Sequence, residues 1–157
     1  MNNFERMIEL ANEVFSARTD LDQLDVDEKI MEKLQSIHPA TLSEHVEGDG
    51  PVVWILLIPT TTVVMEKFIS KKIGERQLLE QTTPGEKYDS LYLCSALVLP
   101  EFRKKGLASK VTLNAVKEIQ NDHAIKTLFV WPFSNEGEQL ATQLAKKLHL
   151  PLLTRPH

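Results

Sequence analysis

The spacing of hydrophobic and polar positions changes along the chain, and each change marks an element. Phe4, Met7, Ile8, Ala11, Val14 and Phe15 recur at helical spacing, so residues 3 to 17 are expected to form an amphipathic helix. A polar connection follows over residues 19 to 24. Asp25-Val26-Asp27-Glu28 has the shape of a capping box, with Asp25 as N-cap, and Ile30, Met31, Leu34 and Ile37 supply a second stripe. His38-Pro39 ends that helix, because the residue before proline is pushed out of the α region. The pattern then shifts to a period of two. Residues 41 to 47 alternate weakly, Gly48-Asp49-Gly50 signals a turn, and residues 51 to 58 are rich in β-branched and large apolar side chains. This reads as a hairpin whose second strand is central and whose first lies nearer an edge. Pro59-Thr60-Thr61-Thr62 is expected to stop the strand and to provide hydroxyl N-caps, with plain capping weighed against a role in a binding pocket. A helix to about residue 72 follows, with Gly74 at its C′ position, and then a short helix over residues 75 to 81.

The second half turns on one stretch. Residues 91 to 99 form an apolar run that reads as a buried strand, ended by Pro100-Glu101-Phe102. Arg103-Lys104-Lys105-Gly106-Leu107-Ala108 comes next, and a helical pattern carrying Val111, Leu113, Ala115, Val116 and Ile119 starts at once. Residues 126 to 131 make another strand, which a βαβ connection should set parallel to the first through a right-handed crossover. Ser134 or Asn135 can cap a last helix with Leu140, Ala141, Leu144, Ala145 and Leu148 inward, before a short strand near residues 150 to 153. Strands interleaved with helices over 157 residues, with no repeat and no linker, indicate one α/β (α+β) domain spanning residues 1 to 157, a mixed sheet flanked by helices.

The strand-to-helix corner carries the candidate chemistry. The first turn of a helix leaves backbone N–H groups without intrahelical partners and holds partial positive charge. Gly106 has no Cβ, so an anion can approach the backbone, and Arg103, Lys104 and Lys105 add charge beside it. The corner reads as a pyrophosphate cradle, with a solvated basic turn as the alternative. Overall the chain has a net charge of −4, which argues against general nucleic-acid binding. Cys94 is the only cysteine, so neither a disulfide framework nor a cysteine-based zinc site is expected. The five histidines are scattered without metal-ligand spacing and are expected at the surface or at helix ends. The N-terminus lacks a signal-peptide pattern, and the longest apolar run is too short to span a bilayer, so a cytoplasmic protein without a membrane partner is expected.

The corner Arg103-Lys104-Lys105-Gly106-Leu107-Ala108 resembles the acetyl-CoA signature of the GNAT (GCN5-related) N-acetyltransferases, Arg/Gln-x-x-Gly-x-Gly/Ala. Residues 96 to 102 are similar to that family's preceding strand, and Asn135 resembles the asparagine that opens its next helix. The resemblance covers roughly residues 88 to 150. It implies acetyl-CoA as acetyl donor, with the pantetheine along Leu97 and Val98. The pyrophosphate would then rest on Arg103, Lys104, Lys105, Gly106, Leu107 and Ala108, with Ser109 close by. It implies direct attack of an amine on the thioester, with a backbone N–H near residues 96 to 98 stabilising the oxygen.

The chain also departs from that family. Ala145, or Thr142 by another count, stands where many members carry a tyrosine general acid. Tyr92 is the candidate in its place, weighed against simple packing in the core, and Glu80 and Glu86 are candidate bases weighed against plain surface positions. No strand precedes the first helix, few residues follow the last one, and residues 59 to 81 insert helical material that could line the acceptor pocket. Two functions stay open: an N-acetyltransferase acting on an unidentified small-molecule or protein amine, and a non-catalytic, regulatory acyl-CoA-binding module. The net acidic charge mildly favours a cationic acceptor. An open sheet edge could invite a homodimer.

Overall fold

The computed structural model describes residues 1–17 and 27–157; for residues 15–17 only the backbone is described. Five strands form one mixed sheet in the order β1-β2-β3-β4-β5: β1 (Leu42–Glu47), β2 (Gly50–Thr60), β3 (Ser90–Val98), β4 (Thr127–Val130) and β5 (Leu152–Thr154). The first three strands are antiparallel and the last three parallel. Among the described residues six α-helices accompany it: α1 (Asn3–Ala17), α2 (Glu28–Ile37), α3 (Thr62–Ile69), α4 (Glu75–Gln81), α5 (Leu107–Asp122) and α6 (Asn135–Leu148). The mixed α/β class, the hairpin and the parallel pairing of β3 with β4 agree with the expectations from sequence. Among the described residues no strand precedes α1, and one short strand follows α6.

The local differences have physical causes. The N-cap of α2 is Asp27, whose carboxylate accepts from the Ile30 N–H at 2.9 Å, and not Asp25, which lies outside the described residues. Strand β2 does not stop at Pro59 but continues to Thr60. Its pairing with β1 ends at Leu56, so beyond that point one edge of β2 has no neighbouring strand. A proline, which lacks an N–H, is tolerated on such an edge. Thr61 caps α3 through Val64 N, while Thr60 is buried and shares a 2.7 Å hydrogen bond with Thr82. The left-handed residue after α3 is Lys71, with φ of 66°, rather than Gly74. Gly74 instead opens α4, where its N–H donates to the Gln77 side chain at 2.9 Å.

Helix α3 packs its Phe68 into an aromatic cluster. The ring meets Tyr92, Phe129 and Trp131 edge-on at centroid distances of 4.9, 5.8 and 6.0 Å. Tyr92 stacks on Phe129 across the β3–β4 pair. The Arg155 guanidinium lies over the Phe68 and Trp131 rings at 4.5 and 4.2 Å, a cation–π arrangement within the core. Among the described residues no helix is long and apolar enough to cross a membrane.

Candidate functional site

The site begins where β4 gives out. Its pairing with β3 covers Ser90 to Leu93 on one strand and Thr127 to Val130 on the other. Strand β3 runs on to Val98, whereas the chain after β4 leaves through Trp131 and Pro132, and Pro132 has no N–H to extend a ladder. Residues 94 to 98 therefore present one backbone edge to a gap. A cavity of about 1130 Å³ fills that gap, bounded by the start of α5, the start of α6, β2 and α1.

A β-bulge lies at the mouth of the gap. Leu57 pairs with Leu93, but Leu56 pairs with Ser95, so Cys94 is the inserted residue. Bulges redirect a strand and are common beside functional sites. From Ser95 to Val98 the register with β2 is regular. The Val98 carbonyl accepts from Arg103 Nε at 3.1 Å, while the next N–H, of Leu99, donates to Val52 on β2. The N–H and C=O of one residue share a side of a strand, so alternation turns Val98 and Ala96 toward the gap and Ser95 and Leu97 toward β2.

Beyond β3 a three-residue 3₁₀ turn, Pro100–Phe102, leads to the glycine corner. Gly106 is the N-cap of α5 with φ of 76°, a left-handed conformation that favours glycine, and a Cβ added there would meet nothing within 4 Å. Open space thus fronts the first N–H groups of α5. An ion pair at 2.7 Å between Arg6 of α1 and Glu101 braces the turn. The hydrogen bond from Arg6 holds the Glu101 carboxyl below its ordinary range and raises the Arg6 guanidinium in turn.

The residues proposed from sequence divide clearly. Leu97, Val98, Arg103, Lys104, Gly106, Leu107, Ala108 and Ser109 line one cavity. Lys105 does not; its ammonium sits 5.4 Å from the Phe102 ring centre, and the side chain is exposed. Asn135 is exposed on a separate shallow groove of α6, and the cap of that helix is Ser134, whose hydroxyl accepts from Gly137 N. Tyr92 is fully buried away from the cavity and donates to Glu75 Oε2 at 2.5 Å. The other tyrosine, Tyr88, donates to the Thr83 carbonyl, and burial together with nearby Glu86 raises its pKa. Glu80 and Glu86 are exposed and off the cavity. Residues 59 to 81 contribute none of the described lining: Thr60 and Thr61 serve the fold as above, and Thr62 donates to Asp89 at 2.7 Å.

Three features escaped the reading of the sequence. Glu75 is fully buried, holding the Tyr92 hydroxyl and lying 3.6 Å from Cys94 Sγ, although it sits in a polar helical heptapeptide. His38 stands at a helix end as expected, but its burial was not foreseen. Its Nδ1 accepts from Ala40 N and its Nε2 faces Asp122 at 2.7 Å, with the His123 ring 5.9 Å away. The third is the apolar wall of the cavity, to which α1 gives Leu10 and Val14 and β2 gives Ile55 and Leu57. The helical stripe read for α1 held Val14 but not Leu10, and did not say against what it packs. Among the described residues no three His, Cys, Asp or Glu side chains gather where they could hold a metal ion. No family model matches the chain, and no curated protein matches it.

Proposed function

We propose that the protein is an N-acetyltransferase that moves an acetyl group from acetyl-CoA to a primary amine within a ternary complex. The observation that carries this reading is the gap between β3 and β4, which runs from a bulge at Cys94 to the glycine corner at Gly106 along one continuous cavity. Its two ends suit the pyrophosphate and the acyl-pantetheine arm of an acyl-CoA. The N–H groups opening α5, with Arg103 and Lys104 beside them, suit a pyrophosphate. The outward edge at Ala96 and Val98 suits the amides of an extended pantetheine, which would lie there as an added strand.

The chain's part in the reaction is chiefly to bind and orient. The cradle and the strand edge hold the thioester near the bulge, and the acceptor nitrogen enters from the apolar side. The Ala96 N–H is the donor for the thioester oxygen as charge develops on it. Among the described lining residues there is neither a tyrosine nor a histidine, and the chain's contribution to the rate is proximity together with that donor.

A specific observation favours the second reading, a regulatory acyl-CoA-binding module. Tyr92, the candidate acid, is held in the core by Glu75. Turnover separates the two. Acetyl-CoA should raise the melting temperature under both, but release of CoA thiol in the presence of amines is expected only of the enzyme. An acetyl-CoA that leaves the melting temperature unchanged would overturn both.

A further inference from the structure

The acceptor side of the cavity has a chemistry of its own. Ile55 and Leu57 stand opposite Ala96 and Leu93, on either side of the bulge, so they back the point where the thioester would lie. Leu10, Val14 and Leu93 are half-buried, and Phe133 is 40% exposed. All four line the cavity, and each has apolar surface left incompletely covered. The charges are arranged differently. Arg103 and Lys104 line the corner end, and Glu136, in the first turn of α6, is the one carboxylate among the described lining residues. The acidic excess of the chain is therefore carried elsewhere, and with the corner cations given to the pyrophosphate a polycation would find one exposed carboxylate, Glu136, in the described lining.

Resting on the acetyltransferase reading, we propose that the acceptor is a primary amine on an apolar alkyl or aryl body, not a polyamine or other polycation. The amine nitrogen bonds to the thioester carbonyl carbon, the C–S bond breaks, and CoA leaves as the thiol. The products of an alkylammonium and acetyl-CoA are the amide, CoA and one proton released to solvent. The body of the acceptor rests on Leu10, Val14 and Leu93, where each methylene leaves water.

The test has two stages on the purified chain. Calorimetry and thermal melting first establish whether acetyl-CoA binds. Thiol release is then followed with propylamine, hexylamine, 2-phenylethylamine and spermidine. The expected result is a kcat/KM for hexylamine about tenfold or more above propylamine, with 2-phenylethylamine similarly above spermidine. Leu10→Glu should erase that preference while keeping the rise in melting temperature with acetyl-CoA, and Leu10→Ala, a gentler change, should reduce it in part. Spermidine used as well as hexylamine would overturn the acceptor proposal. Failure of acetyl-CoA to bind, or binding with no amine used at all, would instead overturn the acetyltransferase reading beneath it.

Discussion

Tyr92 and Glu75 show how a side chain's partner decides its role. A phenol on β3 was a candidate for proton transfer weighed against packing in the core, and the structure has it in the core with its hydroxyl spent on a buried carboxylate. Burying a carboxylate is costly without donors, so Tyr92 serves Glu75 at least as much as the reverse. Tyr92→Phe should therefore lower stability by about 1–3 kcal/mol, read by urea denaturation, and leave thiol-release kcat within about twofold of the parent. A drop of a hundredfold or more in kcat with a changed pH profile would return Tyr92 to the chemistry. His123 offers a pH test. Burial, then the neighbouring His38, holds its pKa below the ordinary 6.5, while Asp122 opposes them. The unfolded chain thus takes up that proton first on acidification. The stabilising effect is fully present above about pH 6.5 and is lost as pH falls toward the depressed native value. Melting temperature should fall between pH 7 and pH 5.5, and His123→Asn should flatten that slope. These partners were not legible in the one-dimensional pattern, because Tyr92 and Glu75 lie 17 residues apart and His38 lies 84 residues from Asp122, the neighbour of His123.

At the scale of elements, period and punctuation revealed most of the fold. The stripe of α1, the turn at residues 48 to 50 and the run into β3 each reported a real element. The misplaced boundaries have a shared cause. A hydrophobic pattern records which face is buried but not where a neighbouring strand ends, and the open edge beyond Leu56 is what lets β2 pass through Pro59. The same limit hid the role of α3 and α4. They close the core over Tyr92 and Phe129 and stand away from the cavity. Phe68→Ala should accordingly cost about 3–5 kcal/mol in chemical denaturation while leaving the acetyl-CoA affinity of the folded fraction within about threefold. A selective loss of affinity at unchanged stability would place α3 in the binding site after all.

Over the whole molecule, a short β4 beside a long β3 leaves one gap, and the cavity, the bulge and the opening of α5 all border it. The half of this site that would receive CoA could be read from the sequence, since a strand, a glycine corner and a helix are contiguous there. The acceptor half could not, because Leu10 and Val14 come from α1 and Ile55 and Leu57 from β2, brought together only by the fold. The central claim is that the Gly106 corner holds the pyrophosphate of acetyl-CoA. Gly106→Glu tests it most directly, since the added side chain enters the open space before α5 with a negative charge, and the left-handed backbone costs only about 1–2 kcal/mol of stability. Calorimetric titration of acetyl-CoA is expected to give saturable one-to-one binding to the parent and a loss of at least about a hundredfold in the folded variant. Equal affinity in the two proteins, or no binding to the parent, would contradict the account.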